Sequence, residues 1–237
     1  MLVSESLDQI ENRHFMKKLI VIIFILCILT TLSGLYYSKI NTNSALNNFI
    51  KITHSHYVRK ARGIDEHSIV FLGSSSIQAL NVGQITDNGI NLGIGGERLS
   101  GLINRLQDYP NIASARLLVF GAGFNDLCRS SSKDITSKYD NLLNHSREEN
   151  LVISNMQPAT SQRLCGDLYE KLTYFNNYLR TKCAALHKCY FVDLHNLLSE
   201  KQSLVFEPDG IHLNKLGYDL WQAELEKVIT QIKNEGK

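Results

Sequence analysis

Hydrophobic residues form one long run near the start of the chain and several short runs farther along it. The long run covers residues 19–37, contains no charged side chain, and is long enough to span a bilayer as one helix. Arg13, Lys17 and Lys18 precede it, and this positive charge favours a cytoplasmic N-terminus with the rest of the chain outside. The pattern predicts a short cytoplasmic segment over residues 1–18, followed by a transmembrane signal-anchor.

A cleaved signal peptide is the alternative interpretation of the same run, with translation from Met16 and a weak small-residue site near Ser33 and Gly34. We favour the uncleaved anchor, because the run is long for the apolar part of a signal peptide and no clear Ala-x-Ala sequence follows it. Leu26 is bulky and directly precedes Cys27, which argues against a lipoprotein processing site. We therefore predict a single-pass membrane protein with its main domain on the periplasmic or extracellular side, and a secreted protein is the alternative.

Residues 38–66 differ in composition from both of their neighbours. They are rich in Asn, Ser, Lys and His, and their apolar residues recur near helical spacing. This pattern predicts a linker that contains one amphipathic helix. His54 and His56 form a His-x-His pair in this segment, but no third ligand lies nearby in the sequence, so the pair does not predict a metal site.

From Ser68 onward, short apolar runs alternate with longer amphipathic segments, which is typical of strand–helix units around a parallel sheet. The apolar runs are continuous, as expected of strands that helices cover on both faces. The predicted strands cover residues 69–72, 90–92, 116–120, 151–154 and 190–194. The predicted helices cover residues 76–80, 99–107, 133–145, 168–186 and 215–233. The sequence predicts a domain over residues 67–237 that is a three-layer α/β/α sandwich with a parallel sheet of about five strands.

Length and charge restrict the classes of function. A chain of 237 residues with 43% hydrophobic composition has room for one globular domain and a short appended segment. The formal net charge is only +2, and no run of Lys and Arg is interleaved with aromatic residues. We therefore expect no nucleic acid among the partners of this protein.

Four cysteines follow the apolar run, namely Cys128, Cys165, Cys183 and Cys189. An even number of cysteines in an exported domain favours one or two disulfides, although buried free thiols are equally compatible with the sequence. Four cysteines allow three full pairings, and the sequence does not choose among them.

Polar segments follow the first three predicted strands at the sheet edge where open α/β sheets bind ligands. These segments are Gly73-Ser74-Ser75-Ser76, Gly95-Gly96-Glu97 and Gly123-Phe124-Asn125-Asp126. Nearer the C-terminus, Asp209 stands three residues before His212, where its carboxylate can fix the imidazole tautomer and stabilise the protonated ring. Each segment alone is common, but together they supply a nucleophile, oxyanion donors and a histidine with its carboxylate.

These four segments resemble the sequence blocks of the SGNH hydrolase family, also called GDSL esterases and lipases, which provide Ser, Gly, Asn and His in that order. The resemblance covers roughly residues 67–235. It implies that Ser75 is the nucleophile, that His212 and Asp209 complete the triad, and that the oxyanion is held by Ser75 together with Gly96 and Asn125. It also implies hydrolysis through an acyl-enzyme, with no metal or organic cofactor required.

Two positions depart from the family pattern: Ser74 stands where the family name has Asp, and Glu97 replaces a smaller acid or amide. Neither belongs to the implied triad. Asp193 ends the fifth predicted strand and competes with Asp209 for the role of triad acid, but we interpret it as a structural hydrogen-bonding group. We expect surface or packing roles for His187 and His195.

The loops over residues 126–134 and 156–167 should border the pocket, and they are polar, with Arg129 and Arg163 among their residues. This favours a short acyl group on a polar or sugar-like carrier, although both arginines could simply be solvated. The hypothesis is deacylation, such as deacetylation, of an envelope or extracellular glycan. The alternatives are an acyltransferase, a lysophospholipase or thioesterase with the same triad, and an inactive carbohydrate-binding module, which the presence of Ser75, Asn125 and His212 disfavours.

Overall fold

The computed structural model describes residues 2–146, 150–160 and 165–235, with the backbone alone for residues 2–15 and 43. The chain divides into two compact units, residues 1–49 and residues 50–237.

The first unit is helical and belongs to helix α1 (Leu2–Lys60). Its apolar side chains from Met16 to Ile40 are exposed, and the helix contains a stretch with mean hydropathy of 2.6. Within the described part of the chain, this is the one helix long and apolar enough to cross a membrane, a test that a signal sequence also passes. The predicted linker is helical as far as Lys60, because no proline interrupts the helix before that residue.

The second unit is built on a five-stranded parallel sheet with the strand order β2-β1-β3-β4-β5. Its strands are β1 (Ile69–Gly73), β2 (Gly89–Asn91), β3 (Leu117–Gly121), β4 (Leu151–Ser154) and β5 (Cys189–Val192). This confirms the predicted fold class. The chain leaves β1 towards β2 on one side and returns to β3 on the other, so the carboxyl ends of β1 and β3 form the crevice in which such sheets bind ligands.

Helices cover both faces of this sheet. The longer ones are α3 (Leu99–Leu106), α5 (Ser132–His145), α6 (Leu168–Ala185) and α9 (Lys215–Glu235). The shorter ones are α2 (Ser75–Gln78), α4 (Phe124–Leu127), α7 (Leu194–Ser199) and α8 (Gln202–Val205). Three 3₁₀ turns cover Ala61–Gly63, Val82–Gln84 and Ile112–Ser114.

Alternate residues of the strands, except for the short edge strand β2, enter two separate hydrophobic cores. In β1, Val70 and Leu72 pack into the core that also contains α3, α5 and α6. Ile69 and Phe71 enter the opposite core, which contains buried Trp221 of α9. The sheet is therefore the middle layer of three, as its continuous apolar strands predicted.

All four cysteines of the second unit are paired, as Cys128–Cys165 and Cys183–Cys189. The first disulfide joins the loop after α4 to the segment before α6. The second joins the end of α6 to the start of β5. The sequence left this pairing open because it depends on which loops the fold brings together.

Candidate active site

Ser75 is the first residue of α2 and is separated from the end of β1 by Ser74 alone. The turn needs Gly73, because a Cβ atom there would lie 2.2 Å from the carbonyl oxygen of Gly121 on neighbouring β3. The Ser75 hydroxyl oxygen lies 3.1 Å from Nε2 of His212. A serine on a strand-to-helix turn, with a histidine at hydrogen-bond distance, is the geometry required of an activated nucleophile.

His212 and Asp209 belong to one loop that begins after α8. Gly210 adopts a positive φ of 68° in this loop, and the Asp209 Oδ1 atom accepts hydrogen bonds from the backbone N–H groups of Ile211 and His212, each at 2.9 Å. The other carboxylate oxygen lies 2.5 Å from Nδ1 of His212. The loop therefore orients both the acid and the imidazole.

Electrostatics favour an ionised Asp209. Its hydrogen bond from His212 lowers the pKa of the carboxyl from 3.8 to about 2, so the group is charged at neutral pH. Because an ionised carboxylate can only accept a hydrogen bond, Nδ1 must be the donor, and the ring proton of a neutral His212 is therefore on Nδ1. Nε2 is then free to accept the proton of Ser75.

Asn125, in α4 after β3, lines the same cavity as Ser75 and His212. One N–H of its side-chain amide donates to the carbonyl oxygen of Glu97 at 2.9 Å, and the amide has a second N–H to offer a ligand. Gly96 lies in the turn just before Glu97, with a positive φ of 74°. The structure thus links the segment that contains Gly96 to Asn125, although Gly96 itself is not in the lining of the cavity.

A model of the GDSL-like lipase/acylhydrolase family matches residues 74–220, which is more than half of the chain. The chain belongs to this family. It is therefore an ester-hydrolysing serine hydrolase of the GDSL type, and the matched residues contain all five candidate site residues. No curated protein sequence matched the chain.

Solved structures that resemble this GDSL hydrolase have low sequence identity and support the fold. A Streptococcus pneumonia protein provisionally called a platelet activating factor has a TM-score of 0.68 at 16% identity, covering 78% of this chain and 95% of that one. A GDSL-like lipase from Bacteroides thetaiotaomicron has a TM-score of 0.65 at 18% identity, with 76% and 98% covered. For the lipase/acylhydrolase from Enterococcus faecalis the TM-score is 0.60 at 19% identity, with 69% and 95% covered.

Buried Asp126 follows the candidate amide of this GDSL hydrolase and fixes the neighbouring segment. Its carboxylate accepts hydrogen bonds from Nε of Arg98 at 3.1 Å and from the backbone N–H of Leu99 at 2.9 Å. A second nitrogen of Arg98 donates to Ser130 Oγ at 2.8 Å. No role was predicted for Asp126 or Arg98 from the sequence, although Asp126 directly follows Asn125 and Arg98 stands two residues after Gly96.

Gln157 connects the serine segment to the histidine loop. Its buried amide nitrogen donates to Ser76 Oγ at 3.1 Å and to the carbonyl oxygen of Ile211 at 3.3 Å. These bonds join the Ser76 side chain to the backbone of the histidine loop, next to the Ser75–His212 pair. No sequence pattern pointed to Gln157, because an isolated glutamine in a polar loop has no distinctive neighbours.

The cavity in front of Ser75 has a volume of about 580 Å³. Both predicted bordering loops contribute to it, the first through Cys128 and Arg129 and the second through Gln157 and Cys165. Arg163 lies outside the described residues.

Asp193, the competitor of Asp209 for the role of triad acid, and Glu97, which departs from the family pattern, both have other partners. Asp193 caps α7 by accepting the backbone N–H of Asn196, and it also accepts from Asn155 and pairs with Arg180. Glu97 is buried in an ion pair with Arg105 at 2.8 Å, and this burial raises the pKa of Glu97 even though Arg105 opposes the shift. Neither carboxylate lines the cavity of Ser75.

Proposed function

We propose that this GDSL hydrolase is a membrane-anchored esterase that cleaves short acyl esters, acetyl esters above all, through a Ser75–His212–Asp209 triad. The observation that carries the proposal is the continuous hydrogen-bonded series of the three side chains. The distance from Ser75 Oγ to His212 Nε2 is 3.1 Å, and the distance from His212 Nδ1 to Asp209 Oδ2 is 2.5 Å.

In the proposed reaction, Nε2 of His212 accepts the hydroxyl proton while Ser75 Oγ attacks the ester carbonyl carbon. The negative charge on the carbonyl oxygen is stabilised by the backbone N–H groups of Ser75 and Gly96 and by the second amide N–H of Asn125. His212 then protonates the leaving alcohol. Water activated by the same nitrogen hydrolyses the acyl-enzyme and restores Ser75.

The proposed substrate is an acylated glycan of the envelope or extracellular space. Support comes from the polar groups of the cavity, which include the hydroxyls of Ser74 and Ser76 and the amides of Asn125 and Gln157. The proposed location has the catalytic domain outside and residues 19–37 in the membrane. It is supported by the basic residues before the apolar run, and by two disulfides, which are typical of oxidising compartments.

The test is hydrolysis of p-nitrophenyl acetate, butyrate and longer esters by the full-length protein in a non-ionic detergent. Ser75→Ala should lower kcat/KM by about 10⁴-fold or more, because it removes the nucleophile. Ser137→Ala, which removes an exposed hydroxyl on α5, is the matched control and should retain full activity. Equal activity of wild type and Ser75→Ala would contradict the proposed triad.

The substrate class needs its own measurement. Acetate release from an O-acetylated polysaccharide is expected from the wild type and not from Ser75→Ala. Efficient cleavage of long acyl esters without acetate release from any acetylated glycan would overturn the glycan assignment while leaving the triad in place.

A further inference from the structure

The cavity in front of Ser75 contains one side chain, Arg129, that carries a full charge at every physiological pH. The other side chains that line it, apart from His212, are neutral or apolar. Within the residues that the structure describes, no carboxylate lies within ion-pair distance of the Arg129 guanidinium. Among the described residues, the Arg129 guanidinium is therefore a cation without an ion-pair partner.

The acidic groups nearest in the site have other partners. Asp209 accepts from His212, and Asp126 is fully buried against Arg98 and Leu99. Neither carboxylate therefore forms an ion pair with Arg129, and the guanidinium is available to an anionic ligand in the cavity.

Arg129 is also held in place. Its backbone N–H donates to the carbonyl oxygen of Asp126 at 2.9 Å, and its Nη1 donates to the carbonyl oxygen of Asn125 at 2.9 Å. The preceding residue, Cys128, is covalently joined to Cys165, which also lines the cavity. Of the five N–H donors of a guanidinium, this arrangement uses one, and the planar fork that remains fits a carboxylate or a phosphate.

From this geometry we propose that Arg129 is a specificity-determining residue that binds an anionic group, a carboxylate or a phosphate, on the alcohol part of the ester. The inference rests on the proposed function. The proposed acyl group is short, and we therefore assign the anion to the alcohol part of the ester. A preorganised cation loses little conformational freedom when it binds a ligand. An ester with a matching anionic group should therefore bind more tightly than a neutral ester of the same shape.

The test compares two acetyl esters that differ in one charge, para-acetoxybenzoate and its neutral methyl ester. The full-length protein in non-ionic detergent is assayed as wild type, Arg129→Met and Arg129→Lys. We expect Arg129→Met to lower the ratio of kcat/KM for the anionic ester to that for the neutral ester by about 10- to 100-fold, the range for a hydrogen bond between charged groups. Arg129→Lys should retain part of the ratio, because it keeps the charge and loses the fork.

Arg116→Met is the matched control, because Arg116 directly precedes β3 and so lies at the opposite edge of the sheet from Ser75. It should leave the ratio unchanged. A third ester, para-acetoxyphenyl phosphate, distinguishes the source of the anion: a larger effect of Arg129→Met on this ester than on the benzoate indicates a phosphate-bearing substrate, and the reverse indicates a carboxylate.

Two outcomes separate failure of this inference from failure of the proposed function. If the wild type cleaves both esters through Ser75 and Arg129→Met leaves their ratio unchanged, the anion site is wrong and the esterase stands. If neither ester is cleaved, calorimetry of para-acetoxybenzoate and its methyl ester binding to Ser75→Ala decides the matter. Tighter binding of the anion that is lost in the Arg129→Met double variant supports the site, and equal binding overturns it.

Discussion

At the scale of single residues, the side-chain amide of Asn125 has one partner in the structure and one that we propose. One N–H donates to the Glu97 carbonyl oxygen and holds the amide plane, and the other is proposed to stabilise the oxyanion. A side chain held in this way needs little reorganisation when charge develops on the substrate. Its contribution should therefore appear in the chemical step rather than in binding.

Asn125→Ala is expected to lower kcat for p-nitrophenyl acetate by about 10²- to 10³-fold with a small change in KM, the range for loss of one oxyanion donor. Asn141→Ala removes an exposed amide on α5 and is the matched control. An Asn125→Ala enzyme with wild-type kcat would contradict the oxyanion role.

The lowered pKa of Asp209 predicts how the stability of the fold depends on pH. Because the folded-state pKa of about 2 lies below the ordinary value of 3.8, ionised Asp209 stabilises the fold above pH 3.8, and this contribution is lost as the pH falls through about 2. The difference in thermal midpoint between wild type and Asp209→Asn should therefore shrink between pH 4 and pH 2. It should be small throughout, because the carboxylate is nearly half exposed. A difference that stays constant over this range would contradict the lowered pKa.

At the scale of elements, the last turns of α1 support the segment that contains Gly96. The Tyr57 hydroxyl donates to the Gly93 carbonyl oxygen at 3.1 Å, and the Lys60 ammonium donates to the Asn91 carbonyl oxygen at 3.0 Å. Both acceptors lie at or just after the end of β2, only a few residues before Gly96. Residues 57–60 thus act as a support for the proposed oxyanion site.

Removing the Tyr57 hydroxyl should disturb that support with little loss of packing. Tyr57→Phe is expected to lower kcat by about 3- to 10-fold, which corresponds to one neutral hydrogen bond, with KM nearly unchanged. Tyr36→Phe, at an exposed position in the apolar run, is the control. A Tyr57→Phe effect on thermal stability alone, with wild-type kcat, would show that the contact is only structural.

The elements differ in how well the sequence predicts them. Strands were predicted to within about one or two residues because each is a continuous apolar run, and β2 is shifted by one residue from its predicted position. Helices α4, α7 and α8 were missed, since four to six residues are too few to show a helical period.

At the scale of the whole molecule, strand order brings the candidate site together. Because β1 and β3 are neighbours, with Gly73 opposite Gly121, the segments that carry Ser75 and Asn125 meet at one sheet edge. The antiparallel bridge between Phe206 and Leu213 closes the loop that brings His212 to the same edge.

The candidate residues themselves were predictable, because a hydroxyl, an amide and an Asp-x-x-His segment have recognisable chemistry and order. The residues that hold them in place were not predictable from the sequence. Gln157 and the Cys128–Cys165 pair join segments far apart in the chain, and such contacts follow only from the packed fold.

The most direct test of the central claim, that Ser75 is the nucleophile, is mass spectrometry of the full-length protein after reaction with a fluorophosphonate. The predicted result is one covalent adduct on the peptide that contains Ser75, formed far more slowly in His212→Ala because the base is missing. An adduct on another serine, together with ester hydrolysis that survives in Ser75→Ala, would contradict the account.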